Sequence, residues 1–157
     1  MSEETRETRI PGPALAILRA QPRPNGEFDQ AIPLLTVDNA SFPHVALLSC
    51  DQLRPGRHDD ELLASVWGPG TRANLLATRR ATVVLIAART AYYLKLSVVR
   101  TVEHAGRLGV ILRVAGCTTD SAGVDLSPLG FRRSAELAER EGWDADAQVF
   151  SVLEEQT

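Results

Sequence analysis

The 157-residue chain predicts a mainly β fold, a six-stranded antiparallel barrel with peripheral helices, and three observations carry that prediction. Residues 91–103 (AYYLKLSVVRTVE) and 107–117 alternate apolar and polar positions with period two. Most strand-like runs are separated by turns of hairpin length. The helical segment between the third and fourth runs, residues 71–80, is too short for a regular crossover, and no strand–helix alternation repeats, which argues against a parallel sheet.

In chain order, residues 1–12 read as a charged tail expected to be disordered, and residues 13–157 as one domain ending in a helix. Pro13 suits a first helical position, so residues 13–20 are expected to form a short helix covering the core with Leu15, Ile17 and Leu18, before Pro22-Arg23-Pro24-Asn25-Gly26 breaks it. Residues 31–37 (AIPLLTV) read as a strand that Pro33 places at an edge or a bulge, and residues 42–53 as its hairpin partner across an Asp38-Asn39 turn. A polar loop at 54–60 leads to a strand at 62–67. Gly68-Pro69-Gly70 reads as a turn, and residues 71–80 as a helix with Thr71 as N-cap. Branched residues mark 82–88 as a buried strand. In the next strand Tyr92, Leu94, Leu96, Val98 and Val102 share one face, opposite the semi-polar Tyr93, Lys95, Ser97, Val99, Thr101 and Glu103. His104-Ala105-Gly106 makes the following hairpin. Ser127-Pro128 reads as a cap and first turn of a helix running to Glu141, with a Glu136–Arg140 pair and Gly142 as its stop, and residues 148–153 as a last strand or a fraying tail.

Composition removes several function classes. A formal charge of −3 and a pI near 5.6 give no general attraction to nucleic acid or to an anionic membrane, so neither is expected as a partner. No apolar run approaches the roughly 20 residues that span a bilayer, and MSEETRETR is too charged for a secretory signal, which points to the cytoplasm. Cys50 and Cys117 match no ligand spacing and read as buried free thiols. His58 beside Asp59, Asp60 and Glu61 lies in a loop where contiguous acids are solvated, and no metal site is expected. No Ser/His/Asp set or paired carboxylates stand out, so no catalytic residue is named, and His44 reads as a hydrogen-bonded structural imidazole.

Chemistry concentrates in residues 61–88. A helix start offers free backbone N–H groups and the positive end of its dipole to an anion, and Thr71 and Arg72 stand there behind a Gly-rich turn, the pattern of a phosphate site. The order of elements, with PHVALLSC, LLASVW, the Gly-Pro-Gly turn, the T-R-x-N-L helix, ATVVLIAA and a strand opening Y-Y-L-K-L, resembles the FMN-binding split barrels of the pyridoxamine 5′-phosphate oxidase and flavin reductase type over residues 31–117. That resemblance implies a six-stranded split barrel, FMN as cofactor, and Ser65, Trp67, Thr71, Arg72 and Asn74 around it. It also implies a homodimer that binds flavin between its subunits, with the semi-polar face from Tyr93 to Glu103 as an interface, and a small-molecule substrate. Where the oxidases carry an Arg and a Lys on the second strand, this chain has His44 and Ser49, and it lacks their C-terminal Trp-Arg segment. Vitamin B6 oxidation is therefore not expected, whereas an FMN oxidoreductase, a flavin reductase or a deazaflavin relative fits. The alternative is a non-catalytic split barrel that binds a flavin, deazaflavin or haem, or a ligand-free dimeric module.

Overall fold

The computed structural model describes residues 2–5, 8–20 and 22–156, with the backbone alone at 2–5. Its elements are β1 (Ser2–Thr5), α1 (Gly12–Arg19), β2 (Phe28–Gln30), β3 (Ile32–Val37), β4 (Pro43–Leu48), β5 (Leu53–Pro55), β6 (Glu61–Val66), α2 (Pro69–Thr78), β7 (Arg80–Ala87), β8 (Thr90–His104), β9 (Arg107–Ser121), β10 (Gly130–Arg132), α3 (Ala135–Glu141) and α4 (Trp143–Glu155). Seven strands form a curled sheet in the order β4-β3-β7-β8-β9-β6-β5, and β1 adds an eighth along β9; β2 and β10 make a separate pair. Every pairing is antiparallel.

The β8–β9 hairpin is the backbone of the barrel. Ala105 and Gly106 both take left-handed φ values, 52° and 75°, which matches the twist of the two strands across a two-residue turn. The register shifts twice, with Ala115 the extra residue in β9 and Val99 the extra residue in β8, and such bulges curl a sheet toward closure. The alternation read from the sequence holds as far as Val98: Leu94, Leu96 and Val98 are buried with Leu34, Val83, Leu85, Val110 and Leu112, while Lys95, Ser97 and Val99 point outward. Beyond the register shift at Val99 the faces exchange, so Val102, expected on the face of Leu94, packs instead in the cluster under α4. β6 is buried at all six positions. Leu62, Ala64 and Val66 enter the barrel core, and Leu63 faces a second cluster with Ile111, Val149, Phe150 and Leu153, where α4 covers the outside of β6 and β9. Burying side chains of that size contributes about 1.5–3 kcal/mol each, so α4 is held mainly by its apolar stripe.

Several expectations are corrected. The main sheet has more than the six strands predicted, because residues 42–53 divide into β4 and β5 and residues 2–5, inside the expected tail, pair with β9. Pro33 lies on an inner strand, but it stands beyond the two positions, Leu34 and Leu35, where β3 pairs with β7, so its missing N–H breaks no bond there. The helix expected at 71–80 begins at Pro69, with Gly68 as its cap: the Gly-Pro-Gly segment is the first turn rather than a separate one. The helix expected after Ser127 starts at Ala135, capped by the Ser134 hydroxyl, which accepts from Leu137 N, because residues 130–132 are drawn into pairing with β2. Residues 148–153 are helical within α4 rather than a strand or a tail. The hairpin of β3 with β4, the Gly142 stop and the Glu136–Arg140 pair at 3.0 Å follow the sequence reading.

Gly109 on β9 sets how closely α4 approaches. A Cβ there would stand 2.6 Å from Val149 Cγ1, 2.9 Å from Val102 Cγ1 and 3.2 Å from Leu153 Cδ1. Gly109→Ala is therefore expected to push α4 off the sheet and to cost about 1–3 kcal/mol. A thermal melt with hydrogen exchange of the α4 amides measures this; an unchanged melt would mean that the helix is not seated as described.

Candidate cofactor site

The end of β6 and the start of α2 send the expected site residues in three directions. Along β6 the side chains alternate, so Ser65 and Trp67 fall on the face turned to α4. Along α2 the period is 3.6: Thr71 and Asn74 are buried toward the barrel, and Arg72 lies to the side.

On the barrel side, Asn74 Nδ2 donates to Thr36 Oγ1 at 3.0 Å. Thr36 and His44 are register partners on β3 and β4, and a Cβ on Gly70 would come within 3.0 Å of His44 Cε1, so the imidazole lies against the first turn of α2. No side chain caps α2, and Pro69 has no N–H; helix geometry leaves the Gly70 and Thr71 backbone donors without intrahelical acceptors. Arg72 Nη2 meets Glu103 Oε1 at 3.2 Å, and the Glu103 side chain is 70% exposed.

On the α4 side, Ser65 Oγ donates to Asp146 Oδ1 at 2.6 Å, and Arg107 Nε donates to the same oxygen at 3.1 Å. Arg107 Nη2 also donates to Glu141 O at 2.7 Å, and its guanidinium carbon lies 5.2 Å from the centre of the Trp67 ring. Asp146 is fully buried and its Oδ2 has no partner among the described residues. Burial pushes this carboxyl above its ordinary range, against the opposing pull of Ser65 and Arg107. Arg107, Asp146 and Thr36 were not singled out in the sequence, and Glu103 only as part of the semi-polar face of its strand. Asp146 had a legible signal, since Trp143, Asp146, Val149, Phe150 and Leu153 follow a helical period, but the polar residue broke the apolar pattern.

A second polar cluster stands apart. Buried Arg133 donates from Nη1 to Asp51 Oδ2 at 2.7 Å and to Asp29 Oδ2 at 3.1 Å, and its guanidinium carbon lies 4.4 Å from the centre of the Trp143 ring. Cys50 Sγ, 3.8 Å from Asp29 Oδ2, lines a 570 Å³ cavity with Asp29, Gln30 and Phe28. Burial, with the charges of Asp29 and Asp51, pushes this thiol up to about 11 despite Arg133. Cys50 and Cys117 form no disulfide, and Cys50, expected to be buried, is half-buried. His58 meets Glu61 at 3.4 Å, and among the described residues no three His, Cys, Asp or Glu side chains gather as metal ligands. No helix among the described residues is long and apolar enough to cross a membrane.

Two outcomes are expected. Asp146→Ala should cost about 3 kcal/mol in a denaturant titration, because it strands Arg107 without its counter-charge. Because burial raises this acid, the folded state holds the proton more tightly, so the contribution of Asp146 to stability grows as pH falls toward 3.8, and Asp146→Asn should remove that slope. For Cys50, the ordinary thiol value is 9.0 and the folded one is pushed up to about 11, so stability from this group falls as pH rises between them. Iodoacetamide should accordingly label folded Cys50 slowly at pH 8, and labelling at the rate of a free thiol would contradict the assigned environment.

No family model matches the chain, and no curated protein matches it in sequence. Solved structures do match in fold. The styrene monooxygenase flavin reductase of Pseudomonas putida S12 aligns at 13% identity with a TM-score of 0.54, over 69% of this chain and 94% of that one. The NADH:FAD oxidoreductase of Streptomyces globisporus aligns at 12% identity and 0.50, over 68% and 84%. A Sinorhizobium meliloti protein described as an oxidoreductase aligns at 14% identity and 0.51 over 74% of this chain, which spans only 52% of its length. At such identities the likeness is one of architecture alone, a split barrel.

Proposed function

We propose that the protein is an FMN-binding, flavin-linked oxidoreductase acting as a homodimer on a small-molecule substrate. The observation that carries the reading is the shared barrel: nearly the whole of the Pseudomonas flavin reductase overlays this chain. The start of α2 supports it chemically. The Gly70 and Thr71 backbone donors and the Arg72 guanidinium are the groups a phosphate monoester needs. Arg72 can be spared, since a pair with so exposed a partner as Glu103 contributes only about 0–1 kcal/mol. Flavin would supply the hydride or electron chemistry, and the chain would bind and orient it. The dimer half rests on the outward face of β8, with Tyr93, Lys95 and Ser97, and on edge strand β4, which exposes Val45 and Leu47; light scattering that gives a monomer at micromolar concentration would remove it.

One observation favours a second reading, a non-catalytic split barrel. The Ser65 hydroxyl and the Asn74 amide are engaged inside the protein, by Asp146 and Thr36, which leaves fewer groups for a cofactor than the resemblance implies. Oxidation of NAD(P)H by the flavin-loaded protein separates the two.

Arg72→Ala tests the phosphate site. Loss of a charge-assisted contact worth about 1.5–3 kcal/mol lowers FMN affinity roughly ten- to hundredfold. The flavin-free melt should move little, because only an exposed ion pair is lost. An FMN titration and a melt on the same variant give both numbers. Unchanged affinity would refute the site, and no FMN binding by the parent would refute the cofactor.

A further inference from the structure

Trp67 is 47% exposed, whereas the Arg107 side chain beneath it is only 13% exposed. Its ring lies over the Arg107 guanidinium, which cannot swing away: Nε is fixed on Asp146 Oδ1, and Nη2 on the carbonyl of Glu141, with Gly142 O at 3.4 Å. Asp146 is itself anchored by Ser65 from the neighbouring strand. Gly142 makes room for this arrangement, since a Cβ at that position would collide with Arg107 Nη2. A large aromatic left half in solvent on an immobilised cation has already lost its rotamer freedom, and a surface of that kind binds a planar ring at little further ordering cost. The register places it well. Val66, Leu108 and Glu103 lie in one row across β6, β9 and β8, so Trp67, Arg107 and the Glu103 that holds Arg72 stand at the same end of the barrel.

We propose that Arg107 and Asp146 are positioning residues that hold Trp67 as a rigid platform for the planar ring of the flavin whose phosphate lies at the start of α2. The proposal rests on the flavin reading above. It divides the ligand between two independent contacts, phosphate on Arg72 and ring on Trp67, and it gives α4 a part in cofactor binding through Asp146.

Riboflavin, which has the ring without the phosphate, separates the two contacts. Trp67→Ala should weaken riboflavin and FMN by the same factor, roughly tenfold for one lost stacking contact, whereas Arg72→Ala should weaken FMN alone. Bound riboflavin should be quenched by the indole in the parent and in Leu85→Ala, which loosens the barrel core at β7, away from α4. Arg107→Lys should weaken riboflavin severalfold and restore part of its fluorescence. If Trp67→Ala leaves both affinities unchanged while the parent binds FMN, the platform is wrong and the flavin reading stands. If Leu85→Ala reproduces the Arg107→Lys effects at equal loss of melting temperature, Arg107 is only structural and the proposal fails. A parent that binds neither riboflavin nor FMN overturns both readings.

Discussion

Asp146 carries a carboxylate into the seam between α4 and the barrel, and the arrangement of the seam follows from satisfying it. A buried charge is costly unless it is paired and hydrogen-bonded. Here one oxygen takes the Ser65 hydroxyl from β6 and the Arg107 guanidinium from β9, so one side chain ties a helix to two strands. The apolar stripe of α4 supplies most of the attraction but little direction, because Val149, Phe150 and Leu153 could slide along β6 and β9 with small loss. The polar anchor supplies the register, and Gly109 sets the distance.

The same anchor explains how residues adjacent in sequence come to serve different ends. A strand that alternates every two residues passes directly into a helix that turns every 3.6, and the change of period at Gly68 fans out Ser65, Trp67, Thr71, Arg72 and Asn74. Ser65 becomes structural, Thr71 and Asn74 close the barrel beside Thr36 and His44, and Arg72 and Trp67 remain at the surface. A resemblance in motif transfers residue types; the surroundings of each side chain decide what the type is used for.

A second arginine does similar work at the other end of the C-terminal region. Arg133, just after β10, gathers Asp29 and Asp51 and lies over Trp143, so the loop after β4 and the first turn of α4 share one cation. The β2–β10 pair brings Arg133 there. That local pairing is also why α3 begins so far beyond Ser127: the backbone of residues 130–132 finds its hydrogen bonds in a strand before it can find them in a helix.

Much of the barrel was legible from Ile32 to Cys117, because a sheet with one face in the core and one outside writes itself as alternation, and its hairpin turns need recognisable residues such as Ala105-Gly106. The Gly142 stop and the approximate position of α2 were legible for equally local reasons. The C-terminal region was not: α4 shows its helical stripe only if Asp146 is counted as an inward residue, and nothing local announces that a carboxylate will meet Ser65 some 81 positions earlier. Nor could the sequence show that Arg107, one position in an alternating strand, would support Trp67. The sequence by itself determined the periods, the turns and therefore the kind of sheet; the tertiary structure decided which polar side chains were consumed inside and which were left for a ligand, because that depends on partners brought together only when α4 closes over the barrel.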